Sequence, residues 1–220
     1  MKIAAKVLAV ATAVALGAFA LAGCSSSNSK EDDKTGESAG MTDGKDSMGK
    51  DSAGEADKTA NSEKQKFPQF KAEDLATGET VDESIFSENA VTVVNFWFSG
   101  CSPCVNEMPH IQKESEQLKK ANIGFLGISA DAAYGDDVMK ETKDIMSKQG
   151  VTYRNIAMPT DGEGREYVDK IRAFPTTVLV DREGNIIGKP IEGAIADEGG
   201  LSTTLLERIN EILDKDSKSK

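Results

Sequence analysis

Residues 91–104 read Val91-Thr92-Val93-Val94-Asn95-Phe96-Trp97-Phe98-Ser99-Gly100-Cys101-Ser102-Pro103-Cys104. As far as Phe98 the stretch is apolar nearly throughout and rich in β-branched and aromatic side chains, the pattern of a strand buried on both faces. Beyond the second cysteine, Val105, Met108, Ile111 and Leu118 recur at near-helical spacing among polar residues, so a helix should follow, bent at Pro109. The two cysteines therefore sit where a buried strand gives way to a helix. Unpaired backbone N–H groups and the macrodipole at a helix N-terminus favour negative charge, so one thiol can ionise near neutral pH. Lowering a thiol pKa from about 8.5 to about 7 raises the thiolate fraction at pH 7 from roughly 3% to roughly 50%, and the thiolate is the attacking species. Cys101, nearer the tip, is the expected nucleophile, and Cys104, one turn in, the resolving thiol. Pro103 suits the first turn, where its missing N–H has no helical partner.

An inert disulfide and half of a zinc site are the alternatives. A bridge over so short a loop would add little to a domain with a full core. Zinc normally takes about four ligands, and apart from Cys24 the single histidine, His110, is the other soft or imidazole candidate.

Outward from the motif, strands and helices alternate. Ile123 to Ser129 reads as a second strand, and Asp136 to Gln149 as a helix closed by Gly150. Val168 to Arg172 closes a short helical segment before Pro175. Thr176 to Val180 and Asn185 to Gly188 flank the turn-rich Asp181-Arg182-Glu183-Gly184 and predict a hairpin, and Leu201 to Leu213 makes a last amphipathic helix. This order implies an α/β fold, a mixed central sheet with helices on both faces. The folded domain is expected over 67–215, opening at Phe67-Pro68-Gln69-Phe70, with a polar tail at 216–220.

The N-terminal part reads differently. Lys2 and Lys6 precede an uncharged run from Val7 to Ala22, too short for a stable span, as in a secretory signal. It ends in Leu21-Ala22-Gly23-Cys24, which resembles the bacterial lipobox. That resemblance implies a signal peptide at 1–23, lipid on Cys24 and an extracytoplasmic protein anchored to a membrane; a plain cleaved signal with a chance cysteine is the alternative. With Cys24 lipidated, Cys101 and Cys104 are left as a pair. From Ser25 to Lys66 there is no Val, Leu, Ile or aromatic residue, so 24–66 is expected to be a disordered tether spanning roughly 35 to 40 Å. The net charge of -11 argues against nucleic acid as a partner.

Phe96 to Cys104, then Glu107-Met108-Pro109 and Phe174-Pro175-Thr176-Thr177, resemble the TlpA/ResA branch of the thioredoxin superfamily. The resemblance spans roughly Phe67 to Leu213. It implies a thioredoxin-like fold with a strand-helix insertion over Asp131 to Met158, and a cis Pro175 facing the Cys101–Cys104 disulfide. Trp97 would pack beside the site. Asn95 stands where thioredoxins proper carry a buried aspartate, and an amide cannot titrate. Glu107 matches an acidic residue near the cysteines, read either as a proton-handling group or as a plain helix-face carboxylate. Gly100 replaces a second tryptophan, leaving less side chain beside Cys101, and His110 reads as a surface residue.

The activity implied is reduction of disulfides in partner proteins such as apocytochrome c, with a membrane thiol carrier regenerating the dithiol. The redox group would be the disulfide itself, with no bound cofactor or metal. A disulfide-forming oxidase shares the motif. A peroxidase would carry a proline and then a threonine where Val94 and Phe98 stand. A tethered binding lipoprotein with idle cysteines is the non-enzymatic alternative. Heme or copper transfer would call for a further Cys, His or Met cluster near the motif, and the sequence suggests none.

Overall fold

The computed structural model describes residues 65–218. The expected signal segment, Cys24 and most of the tether lie outside the described residues. Eight strands form one sheet in the order β1-β8-β7-β4-β5-β6-β2-β3: β1 (Gln65–Lys66), β2 (Lys71–Asp74), β3 (Thr80–Asp82), β4 (Val91–Trp97), β5 (Ile123–Ser129), β6 (Arg154–Ala157), β7 (Thr176–Asp181) and β8 (Asn185–Glu192). β4, β5 and β6 pair in parallel, and the flanking pairs are antiparallel. Every residue of β4 is buried, as its unbroken apolar run requires of a central strand. The expected mixed sheet is therefore present.

Alternate side chains of β4 serve two faces. Val94 and Phe96 join Leu126, Ile128, Ile156, Val178 and Val180 in a core completed by Phe67, Phe70 and Phe86. Phe67 anchors this side: its ring meets Phe86 edge-on at 5.0 Å and stacks with Phe96 at 6.3 Å. A 3-10 turn at Glu83–Glu88 and helix α3 (Gly162–Val168) cover that face. Val91 and Val93 point the other way, against Ile111 and Leu118 of α1 (Ser102–Lys120) and Leu205, Ile209 and Ile212 of α4 (Thr203–Lys218). Helix α1 runs on through Pro109.

Four boundaries differ from the expected ones. Gln65 and Lys66, assigned to the tether, form an edge strand on Ile186 and Asn185; an edge strand needs only backbone pairing, and burial of Phe67 brings them there. The short helix ends at Val168, and residues 169–171 close in turns. The last helix starts at Thr203, because Leu201 pairs with Ala196 in a small hairpin, β9 (Ala196–Asp197) with β10 (Gly200–Leu201). It runs through to Lys218 into the supposed polar tail, with Lys215 and Lys218 suiting its C-terminal dipole and Arg182 bonding Asp216 at 3.1 Å. The insertion consists of a 3-10 turn (Ala132–Tyr134), α2 (Asp136–Lys148) and β6, and α2 is closed by Gly150 at φ 65°.

Candidate active site

Cys101 caps the N-terminus of α1, its sulfur accepting the Cys104 backbone N–H at 3.3 Å. The two cysteines are joined as a disulfide, their Cα atoms 5.3 Å apart. Cys104 is 1% exposed and Cys101 5%, so the outer sulfur is the one an incoming thiol or disulfide reaches first. Ser102 and Pro103 are exposed between them.

The loop ahead of the pair is clamped. The Ser99 backbone N–H donates to Asp131 Oδ2 at 2.9 Å, Asp131 Oδ1 accepts from Ser129 Oγ, and Ser99 Oγ lies 2.9 Å from Thr142 Oγ1 on α2. The insertion thus reaches the residue two places before Cys101. A Cβ at the exposed Gly100 would sit 3.1 Å from the Phe98 ring, so this position has little room for a side chain without a shift of Phe98.

The Phe174–Pro175 bond is cis. Pro175 is buried, and its carbonyl accepts the Gly193 N–H at 2.8 Å. Phe174 meets Phe98 edge-on at 5.2 Å, and both rings pack on the buried cluster of Trp97, Cys101, Cys104, Met108 and Met146. The proline loop is thereby brought up to the cysteines. Met108 and Met146 do gather around the motif, as the sequence did not suggest. Among the described residues, no three His, Cys, Asp or Glu side chains are placed to hold a metal.

Glu107 is 2% exposed. One carboxylate oxygen accepts the Ile195 N–H at 2.7 Å; the other accepts the Asn95 side-chain amide at 3.2 Å, and that amide also reaches Thr177 Oγ1 at 3.1 Å. Burial raises the Glu107 pKa above the ordinary carboxyl range, against the opposing effect of the donors on Ile195 and Asn95. It is not a solvated helix-face carboxylate. Burial also raises the Tyr153 hydroxyl, and the Glu107 charge adds to that. His110 is half-buried further along α1.

Trp97 is 1% exposed and its indole N–H donates to Asn155 Oδ1 at 2.9 Å. The sequence reading missed Asn155, along with Asp131, Thr142, Gly193 and Ile195. The one local signal was Gly127, a glycine inside an otherwise well-formed strand, which marks a close approach by something else. A cleft of about 830 Å³ between Phe67, Ser84, Tyr167 and Gly184 lies toward the Val91 end of β4, away from the cysteines.

Comparisons with known proteins agree with this geometry. A model of the AhpC/TSA family matches residues 64–189. The thiol-disulfide oxidoreductase ResA of Halalkalibacterium halodurans is 24% identical over 146 residues, 66% of this chain and 73% of that protein. ResA of Bacillus subtilis is 25% identical over 142 residues, 64% and 74% of the two chains. The thioredoxin domain of a thiol-disulfide oxidoreductase from Bacteroides vulgatus superposes with a TM-score of 0.51 at 22% identity, covering 69% of this chain and 94% of that one, a likeness of fold. A thioredoxin-like sheet presenting a CxxC pair at a helix N-terminus defines a thiol-disulfide oxidoreductase. The chain belongs to the AhpC/TSA family.

Proposed function

We propose that the chain is a lipid-anchored, extracytoplasmic reductase of disulfides in partner proteins, such as those met in cytochrome c maturation. The observation that carries the reading is the near-buried Cys101–Cys104 pair at the tip of α1 with the buried Glu107 carboxyl one turn beyond Cys104. The Cys101 thiolate attacks a sulfur of the partner's disulfide, forming a mixed disulfide and releasing one partner thiolate. Cys104 then loses its proton to Glu107 and attacks Cys101 Sγ, expelling the second partner thiolate. Solvent and Glu107 protonate the released sulfurs. The partner gains two electrons and two protons, and a membrane thiol carrier returns the pair to the dithiol. Pro175 and Trp97 frame the exchange, the first beside the partner's backbone and the second behind the disulfide. The lipobox-like Leu21 to Cys24 supports the anchor.

The reduction potential of the pair, measured in the full chain carrying Cys24→Ser against glutathione or dithiothreitol, tests the direction. A value near or below about -250 mV supports a reductase, and one near about -120 mV makes the protein an oxidase. Absence of lipid labelling on the unaltered chain would overturn the anchor, and labelling that survives Cys24→Ser would overturn Cys24 as its site.

A further inference from the structure

At one level of the sheet, four register-paired positions cross from β7 to β6: Thr177 opposite Asn95, Asn95 opposite Gly127, and Gly127 opposite Asn155. Their side chains face α1, because Val93 and Leu179, two residues away on β4 and β7, belong to the core on that side. From α1, Glu107, three residues past Cys104, reaches this row by accepting from the Asn95 amide at 3.2 Å. The second half of the row is a built seat. A Cβ on Gly127 would fall 1.8 Å from Asn155 Oδ1, so the Asn155 side chain occupies the space a residue at 127 would need. Asn155 is 1% exposed, and its amide donates to the Tyr153 carbonyl at 3.1 Å, which fixes which end of the amide faces the indole. Oδ1 is left to accept the Trp97 N–H at 2.9 Å. Trp97 packs in the same buried cluster as Cys101 and Cys104.

We infer that Asn155, seated in the gap left by Gly127, is the positioning residue that holds Trp97 against the Cys101–Cys104 pair and thereby sets the pair's redox equilibrium. The indole N–H is a buried donor, and a donor without a partner leaves its best-packed pose to find water. With the indole displaced, water reaches the inner sulfur. A thiol or thiolate gains more from hydration than a disulfide does, so the dithiol form is favoured. The role applies to thiol-disulfide exchange in either direction.

Trp97 is the single tryptophan of the chain, so its fluorescence reports this one site. In the full chain carrying Cys24→Ser, Asn155→Leu removes the acceptor while keeping the same branched skeleton with bulkier methyl groups, and Asn155→Ser shortens the side chain beyond reach of the indole. Each is expected to alter the ratio of reduced to oxidised emission and to shift the glutathione exchange equilibrium about tenfold toward the dithiol, which corresponds to about 30 mV for a two-electron couple. In a Trp97→Phe background the same substitutions should shift that equilibrium less than about twofold, as expected when one residue acts through the other. A purely structural Asn155, supporting β6 alone, would leave emission ratio and equilibrium untouched in both variants, or would shift the equilibrium equally with and without Trp97. Either result overturns the assignment, and reading whichever variant folds suffices.

Discussion

The two faces of the central sheet use the same strands to opposite ends. Toward the 3-10 turn and α3, the strands present Val94, Phe96, Leu126, Ile128 and Ile156, closed by phenylalanine rings. Toward α1, the face is apolar at its Val91 and Val93 end but carries Asn95, Trp97, Thr177 and Asn155 near the cysteines, where Glu107 of α1 accepts from Asn95. The first face is held by packing, which is non-directional and tolerant of neighbours of similar volume. The second is held by hydrogen bonds whose partners must all be present, because an unmade bond there leaves a buried polar group without water. The difference separates what makes the protein fold from what makes it react.

The largest expected effect lies at the pair itself. Cys101→Ser should abolish turnover of a disulfide substrate, whereas Cys104→Ser should leave attack intact and accumulate mixed disulfides, visible as a mass increase on denaturing gels without reductant. Equal accumulation in Cys101→Ser would reverse the assigned roles. On the packed face, Phe96→Ala should cost about 3–5 kcal/mol by denaturant melt. Its exchange equilibrium should stay within about twofold in protein that remains folded, and a large shift would erase the distinction between the faces.

On the hydrogen-bonded face, Glu107→Gln should slow exchange about a hundredfold, the usual worth of a positioned acid-base group. It should also change the pH dependence of stability. Burial raises the folded pKa of Glu107, so the folded protein holds a proton that the unfolded chain releases. Stability from this group is present below the ordinary carboxyl range and is lost as pH rises through the raised folded value. The glutamine variant should lack that fall; melts across mildly acidic pH read the difference, and parallel curves would place the titration elsewhere. The smallest effect is expected away from both faces: Arg182→Ala removes the partly exposed bond to Asp216 and should cost under about 1 kcal/mol.

Much of the fold was legible because its signals are local. The run at Val91, the helix after Cys104, the Gly150 stop and the turn at Asp181 to Gly184 each announce themselves within a few residues. The cysteine pair and Pro175 were legible as a motif. Glu107 was legible as a position but not as a buried group, since its burial depends on the Ile195 N–H and the Asn95 amide, which come from distant parts of the chain. Asn155 could not be identified for the same reason: Gly127 marks a close approach, but only the register of β5 against β6 sets Asn155 over it and within reach of Trp97. Edge strands such as Gln65–Lys66 carry no hydrophobic pattern, so composition assigned them to the tether.

Those edges have a consequence of their own. Among the described residues the sheet ends in β1 and in β3, the latter three residues long, with Gln65 and Lys66 exposed on one side and Thr80 on the other. At β3 a neighbouring molecule offering a strand would find too few free amides to template growth, and at β1 it would meet the charge of Lys66. Copies meeting along the short β3 edge would part again, so raising their concentration would raise encounter rates without seeding fibres.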